Sequence, residues 1–462
     1  MTAASAGNVQ TPVHHGRRIR ENLSMFISRR EKVIASLNGT PLMVASHPEF
    51  LRNDDVEHAY RPDSNLYYLT GFEEAESILL LLPGRSPQSV LFVRKKNVER
   101  ETWDGFRFGT ELAKSEFGVD AVFPIEEFAK HAIPLLKDFE DIYYRMYKND
   151  WSDQIFKTVL KDLKMAYGRS GYGLLTVKDA DTFLGEFRLR KDNYDLLNLR
   201  KACEISAKAH VVAMKLTRPG INEKQIEGLI ISEFYKQGAL REGYGAIVAS
   251  GNSATTLHYR FNDQVCKDGD LLLIDAGAEY NYYTGDITRT FPVNGRFTAP
   301  QKRVYDAVLK VQKQVIEAIK PGIFFKDLQE MGVQLLTEAM FELGLLTGQK
   351  EDVIKSLEYK KYYPHGIGHW LGMDVHDAGM YMKKGKPQPI EAGMCFTVEP
   401  GLYIPADDKS APAELRGIGV RIEDNILVTE KGCDVLTSLV PKEVEEIEQI
   451  MTRSTLSTQI SL

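Results

Sequence analysis

One stretch in the second half of the chain occurs twice, and that duplication constrains the fold more than any other feature. The segment "DNYDLLNLRKACEISAKAHVVAMKLTRPGINEKQIEGLIISEFYKQGA" has a counterpart in "QKRVYDAVLKVQKQVIEAIKPGIFFKDLQEMGVQLLTEAMFELGL". Each reads as a long helix, a basic-Pro-Gly-Ile break and a second helix. Leu199, Ala202, Ile205, Ala209, Val212 and Leu216 recur every three or four residues, and Val304, Val308, Val311 and Val315 do the same. Proline cannot continue either helix, because it lacks the N–H and clashes with the preceding turn. Asn222 with Gln225 reads as a capping box that restarts the chain as a helix after the first break. Strand-like runs follow each pair: "GAIVAS", "DLLLIDAG" and "YYTGDITRTF" after the first, "MDVHDAG", "MCFTVEPGLYI" and "GVRIEDNILVT" after the second. Two copies of helix–helix–strands predict an internally duplicated α+β domain with a pseudo-twofold site between its halves.

The remainder has a different texture. "PLMVAS", "SILLLLPG" and "SVLFVRK" are short apolar runs bounded by turn residues, as buried strands are. "YRPDSNLYYLTGF" lies between the first two and reads as turn formers followed by aromatics. The change falls at about Leu184 to Lys191, giving a smaller α/β domain over residues 1–187 and the duplicated domain over 188–462. With 462 residues the chain exceeds one ordinary hydrophobic core, so two domains are expected on length as well.

Composition excludes several classes. A net charge of −6 argues against nucleic-acid binding, which needs a basic face. The basic clusters "HHGRRIR" and "SRREK" are followed by acidic residues and read as solvated helix surface. Cys203, Cys266, Cys395 and Cys433 form no CxxC pair, which fits a reducing compartment. No run reaches the ~18 apolar residues of a membrane span. The first twenty residues lack the apolar region of a secretory signal, so cytoplasm is expected, with organelle targeting as the alternative because that stretch has no Asp or Glu.

The chemistry shows where charged residues interrupt apolar strands. Alternation places Leu271, Leu273 and Asp275 on one face, and Asp286, Thr288 and Thr290 on another. The intervening "AEYNYYTG" is short enough for a hairpin that brings the two carboxylates together. Such neighbours repel unless a proton or a cation intervenes. An Asp that merely caps a turn has the same context in "DAG" and "TGD", so this pair alone leaves both readings open. Glu399 ends an apolar run before Pro400-Gly401, and Arg421 and Glu423 share a strand face. Adding one histidine gives Asp275, Asp286, His369, Glu399 and Glu423, an oxygen-rich set suited to Mn²⁺, Co²⁺ or similar ions in a dinuclear arrangement.

"PHGIGHWLGMDVHD" holds three of the ten histidines. His365 and His369 have the four-residue spacing of HExxH zinc helices, but no Glu follows His365 and glycines flank the intervening Ile. Glycine disfavours the helix that motif requires, so this segment reads as a loop with close backbone approach.

Assembled, these residues resemble aminopeptidase P (Xaa-Pro aminopeptidase) of the pita-bread metallopeptidase family, M24B. The resemblance rests on "LLIDAGAEYNYYTGDITRTFPVNGRFT", "HGIGHWLGMDVHD", "FTVEPGLYI" and "GVRIEDNILVTEKG", with "YRPDSNLYYLTGFEEAES" matching the family's non-catalytic domain and "VLTSLVPKEVEEIEQIM" its tail. It implies a C-terminal pita-bread domain in which Asp275, Asp286, His369, Glu399 and Glu423 hold two divalent ions, commonly Mn²⁺, with Co²⁺ or Zn²⁺ as alternatives. Asp275 would chelate one ion, Asp286 and Glu423 would bridge, and His369 and Glu399 would complete the other shell. A bridging hydroxide would attack the carbonyl before proline, releasing the N-terminal residue of Xaa-Pro-Xaa peptides.

The same resemblance makes Glu399 the proton shuttle. It assigns His258 and His376 to the tetrahedral intermediate and substrate, and His365 and Arg421 to the proline pocket with Tyr244 as a wall. Asp55, Trp103 and Arg188 would help close the site. Trp103 could instead be a core residue. The family implies proline-containing peptides as partners and a homo-oligomer, dimer or tetramer, with neither nucleic acid nor membrane involved. Prolidase, which acts on Xaa-Pro dipeptides, is the alternative. Its eukaryotic members carry a longer segment between the residues matching Glu399 and Glu423. Non-hydrolytic pita-bread binding proteins typically lose metal ligands that this chain keeps, and creatinase-like enzymes lack this ligand set.

Overall fold

The computed structural model describes residues 13–170 and 173–459, and the side chains of 21–170, 173–452 among them. The first twelve residues, most of the stretch read for targeting, lie outside the described residues. The chain divides into two compact units, Met1–Phe187 and Arg188–Leu462.

The first unit is built on a mixed six-stranded sheet in the order Ala121–Pro124, Ser89–Val93, Ile78–Leu81, Leu42–Ala45, Asp141–Tyr143, Thr176–Lys178. The two pairings among the apolar runs read from sequence are antiparallel, and Ala121–Pro124, Asp141–Tyr143 and Thr176–Lys178 join in parallel. Ile78–Leu81 and Ser89–Val93 are buried throughout, as continuous apolar runs require. Phe92, Phe128, Ile142 and Phe156 pack in the core beside them. Within the stretch of turn formers and aromatics, "DSNLYYLTG" forms a helix, Ser64–Thr70. Asp63 caps it by accepting the Leu66 N–H at 2.9 Å, and Gly71 ends it at φ +71. Asp63 and Gly71 are therefore the helix's punctuation.

In the second unit the duplication is explicit. Asn193–Leu216 and Glu223–Lys236 form the first helix pair, Ala299–Ala318 and Phe325–Glu342 the second. Asn222 and Gln225 make the expected capping box. Each pair is followed by a three-stranded antiparallel sheet: Ile247–Ser250, Leu271–Asp275 and Thr288–Pro292 in one half, Cys395–Val398, Asp424–Val428 and Cys433–Val435 in the other. Gly401–Ile404 pairs separately with Ile418–Arg421. A continuous core joins residues of both halves, among them Ile274, Phe291, Phe396 and Ile426.

"MDVHDAG" is a loop rather than the strand its alternation suggests. The chain folds back on itself there: Asp377 N–H donates to the Trp370 carbonyl (2.9 Å) and Gly372 N–H to the Asp374 carbonyl (3.2 Å), so its backbone groups are spent within the loop. The residues just before it run antiparallel to the strand Cys395–Val398: Leu371 N–H donates to the Cys395 carbonyl (3.0 Å), Thr397 N–H to the His369 carbonyl (2.9 Å) and Glu399 N–H to the Ile367 carbonyl (2.8 Å), while His369 N–H reaches the Thr397 hydroxyl (3.0 Å).

Candidate active site

The two strands carrying the first carboxylates pair antiparallel, with Asp275 opposite Thr288 and Leu273 opposite Thr290. This register puts Asp275 and Thr288 side by side on one face. The Tyr244 hydroxyl lies 2.6 Å from Asp275 Oδ1 and 2.5 Å from Asp286 Oδ1, so both aspartates reach one point. One hydroxyl proton can serve only one of them at a time. Asp286 is held through its backbone: its N–H donates to Asn425 Oδ1 at 2.9 Å, and Asn425 Nδ2 donates to its carbonyl.

Glu423 sits at the break between the strands Ile418–Arg421 and Asp424–Val428. Its N–H donates to the Thr288 carbonyl (3.0 Å), and the Thr288 hydroxyl donates to its Oε2 (2.7 Å). Asp286, His369 and Glu423 each offer a ligand atom, and these atoms lie within 4.8 Å of one another. Glu399 joins them through His369 Nε2, which is 3.5 Å from Glu399 Oε1 and 3.4 Å from Asp286 Oδ2.

The hydrogen bonds fix the tautomers of two histidines. His369 Nδ1 lies 3.0 Å from the Trp370 carbonyl, which can only accept, so Nδ1 carries a hydrogen and Nε2 is the nitrogen turned to the carboxylates, where a cation would take the place of its proton. That is the arrangement of a metal-ligating imidazole oriented by a backbone carbonyl. His365 Nδ1 likewise meets the Gly366 carbonyl (2.8 Å), leaving Nε2 to accept from the Tyr403 hydroxyl (2.8 Å). Tyr403 in turn accepts from Arg421 Nη1 (3.1 Å), and Arg421 Nη2 donates to Asp275 Oδ2 (2.6 Å).

The electrostatics are those of an unfinished cluster. Burial, with the neighbouring charges, holds the Asp275 and Glu423 carboxyls above the usual range, Arg421 opposing. Burial lifts Glu399 to about 7 against the pull of His369 and Arg421. Burial opposes protonation of His369, but Asp286 and Glu399 outweigh it and raise the imidazole to about 9. Burial and Arg421 press His365 down to about 3, and burial and His369 lower His376. Four carboxylates and a histidine lone pair gathered around Asp286 fit divalent cations with a preference for oxygen ligands.

A cavity of about 540 Å³ opens on this cluster. Its lining includes all five expected ligands together with Tyr244, His258, His365, His376 and Arg421. His376 stacks edge-on to His369, with ring centroids 4.3 Å apart. His258 lies on an exposed loop whose neighbours are tied to Glu223. This fully buried carboxylate accepts from Ser250 N–H (2.6 Å), Ser250 Oγ (2.7 Å), Tyr259 OH (3.0 Å) and Gln264 N–H (3.0 Å).

Of the three remaining expected residues, one lies in the second unit and two in the first. Arg188 is buried, its guanidinium bonded to Asp374 and Asp377 rather than offered to a substrate. Asp55 is exposed in the turn of the hairpin Leu51–Asn53 and Val56–Glu57 of the first unit. Trp103 is 81% exposed at the end of the helix Val98–Asp104, which removes the core reading. Sequence reasoning missed Tyr403, Asn425 and Glu223. Tyr403 carried one signal, two residues beyond Gly401 in "EPGLYI", but Asn425 and Glu223 act through backbone groups that a sequence does not display.

A paired-carboxylate cluster with an oriented imidazole, between two copies of one helix–helix–sheet motif, is the site of a pita-bread metallopeptidase. The chain belongs to metallopeptidase family M24, whose model matches residues 198–430, while residues 26–143 match the aminopeptidase P N-terminal domain. Within that family the chain is similar to the Xaa-Pro aminopeptidase of Haemophilus influenzae, at 40% identity over 92% of this chain and 96% of that one. Human Xaa-Pro aminopeptidase 3 is 35% identical over 94% of this chain and 85% of its own length. Among solved structures, the Pseudomonas aeruginosa aminopeptidase PepP superposes with a TM-score of 0.90 at 41% identity, covering 94% of this chain and 98% of that one. A variant of Escherichia coli aminopeptidase P in complex with substrate gives 0.88 at 37% identity, covering 94% and 99%.

Proposed function

We propose that this chain is an Xaa-Pro aminopeptidase that releases the N-terminal residue from peptides with proline in second position, using two divalent ions. The observation that carries the reading is the convergence of Asp275, Asp286, His369, Glu399 and Glu423 on one cavity. Asp275, Asp286 and Glu423 would hold one ion, and Asp286, Glu423, His369 and Glu399 the other, with Mn²⁺ the first candidate and Co²⁺ or Zn²⁺ next. A zinc-substituted Escherichia coli relative in complex with product supports a site tolerant of the ion. When bound, such ions supply Lewis acidity and make water a nucleophile near neutral pH.

The chain's own residues then divide the work. Glu399 would take the proton of the attacking water and pass it to the departing proline nitrogen. His376, whose pKa burial lowers, enters as a neutral imidazole and can donate its N–H to the carbonyl oxygen as negative charge develops there; His258, also on the lining, would serve the same oxygen. His365, kept neutral and oriented by Tyr403, offers the proline ring an uncharged face, with Tyr244 as a further wall. A proline nitrogen in a peptide carries no N–H, so a pocket that offers it no acceptor suits the pyrrolidine ring. Asp55 and Trp103, both exposed on the first unit, are candidates to meet substrate or a second copy in a dimer or tetramer.

Prolidase activity is not favoured, because the full-length relatives at 40% and 35% identity are Xaa-Pro aminopeptidases. A cytoplasmic enzyme is the first reading of localisation; a relative named as mitochondrial in Arabidopsis thaliana, 31% identical, keeps the organelle alternative. No described helix is long and apolar enough to cross a membrane. The test is a peptide-library digest with and without added Mn²⁺, scored for the residue released before proline. Metal-dependent release from Xaa-Pro-Xaa tripeptides well above Xaa-Pro dipeptides is expected; cleavage of dipeptides alone, or none, would overturn the assignment.

A further inference from the structure

Two cations and a carboxylate are buried together just beyond His376, where no part of the proposed chemistry uses them. The side chains of Arg188, Lys191 and Asp377 are 4%, 2% and 1% exposed. Arg188 Nη2 donates to Asp377 Oδ1 at 2.5 Å and to Asp374 Oδ2 at 2.7 Å. Lys191 Nζ donates to Asp377 Oδ2 at 2.8 Å and to the Arg188 carbonyl at 2.7 Å. Both oxygens of Asp377 are thus taken by cations delivered from the segment that leads into the helix Asn193–Leu216.

Buried ion groups of this kind stabilise little compared with apolar packing, and a role in fixing one arrangement is their best-attested use. The arrangement fixed here is the loop from His369 to Asp377. Asp377 N–H closes it on the Trp370 carbonyl (2.9 Å), and Gly372 lends its carbonyl to Thr284 N–H (2.9 Å), two residues before Asp286. His376 is covalently next to the pinned Asp377, and its ring lies against His369 at the other end of the loop. Gly372 is the gap through which the pin passes: a Cβ there would stand 2.2 Å from Asp377 Oδ2 and 2.9 Å from Lys191 Nζ.

We propose that Arg188, Lys191 and Asp377 form a positioning clamp that sets the His376 imidazole in the cavity, with Gly372 as the space that admits it. This rests on the peptidase reading above, in which His376 contacts the reacting carbonyl. Arg188 is therefore a positioning residue, and its neighbour on the loop meets the substrate.

The test compares Arg188→Met, Gly372→Ala and His376→Ala, singly and combined, in the full-length metal-loaded enzyme with an Xaa-Pro-Xaa tripeptide. Arg188→Met is expected to lower kcat about tenfold to a hundredfold, the cost of misplacing a group by about an ångström, with KM and bound metal per chain within about twofold of wild type. Adding Arg188→Met to His376→Ala is expected to cost nothing further, because the clamp acts through that ring. Losses that multiply, or an unchanged kcat in Arg188→Met, overturn the clamp. If Arg188→Met does not fold, judged by circular dichroism, Gly372→Ala keeps every charge and carries the same comparison.

A second readout needs no turnover. The His376 imidazole resonance, assigned by its loss in His376→Ala, is expected to shift or broaden in Arg188→Met and Gly372→Ala while that of His258 stays put. Unmoved His376 signals would sink the clamp even if the peptidase reading stands, and an inactive wild-type enzyme with a moved His376 signal would sink only the peptidase reading.

Discussion

Glu423 and Asp424 are adjacent in sequence, both buried, and held in opposite electrostatic conditions. Asp424 is surrounded by compensation: Arg289 (2.6 Å), Lys442 (2.7 Å), Gln312 (2.7 Å) and Thr437 (2.7 Å) all donate to it. Burial works against its charge, yet Arg289 and Lys442 hold the carboxyl well below the usual range. Glu423 faces the other way, toward Asp286, Glu399 and Asp275, and burial and their charges push it well above that range. One strand position therefore separates a closed charge network from an open one. A network that exists for stability is completed by the chain itself; one that binds cations is left for them to complete.

The comparison can be broken in four ways. The largest effect belongs to Asp286, which lies beside His369 and Glu423 and shares the Tyr244 hydroxyl with Asp275. Asp286→Ala should reduce turnover to below a few percent, since removing a shared ligand disturbs both ions at once. Retained activity in a steady-state assay, with metal per chain unchanged, would contradict the shared-ligand assignment.

Next is the contrast between the neighbours themselves. Asp424→Asn leaves Arg289 and Lys442 buried without their anion and should cost about 3–5 kcal/mol in urea unfolding. Glu423→Gln, measured on chelated protein, should leave stability equal or higher because it removes repulsion, while abolishing activity. Equal destabilisation by both would erase the distinction between the two networks.

The third concerns pH. In chelated protein the Glu399 carboxyl keeps its proton to about 7, whereas its ordinary value is 4.5, so between those values the folded state binds more protons than the unfolded. Stability is then fully present below pH 4.5 and falls as pH rises toward 7, by roughly 3 kcal/mol. Glu399→Gln should flatten that slope, and a slope that persists in the variant would assign it to other groups.

The smallest effect is at Tyr403. Tyr403→Phe removes the donor to His365 Nε2, worth about 1 kcal/mol, and should raise KM about fivefold with kcat nearly unchanged.

Much of this was legible in the sequence because it is periodic. Duplicated helix pairs and the capping box at Asn222 are local patterns, and the structure shows both. The carboxylates were visible as charges at apolar strand positions. What stayed hidden is what depends on distant backbone. "MDVHDAG" alternates like a strand, but Asp377 N–H turns it back on the Trp370 carbonyl. Asn425 looks like an ordinary polar residue until its amide is seen against both backbone groups of Asp286. Arg188, a basic residue near a boundary, gave no sign that Asp374 and Asp377, nearly two hundred residues later, would enclose it.

The central claim is that the open network around Glu423 is finished by two cations. The direct measurement is a titration of chelated enzyme with Mn²⁺, following bound metal and Xaa-Pro-Xaa cleavage together. The account predicts two ions per chain at saturation and activity absent before binding begins. Full activity in the metal-free protein, or saturation without any bound ion, would contradict it.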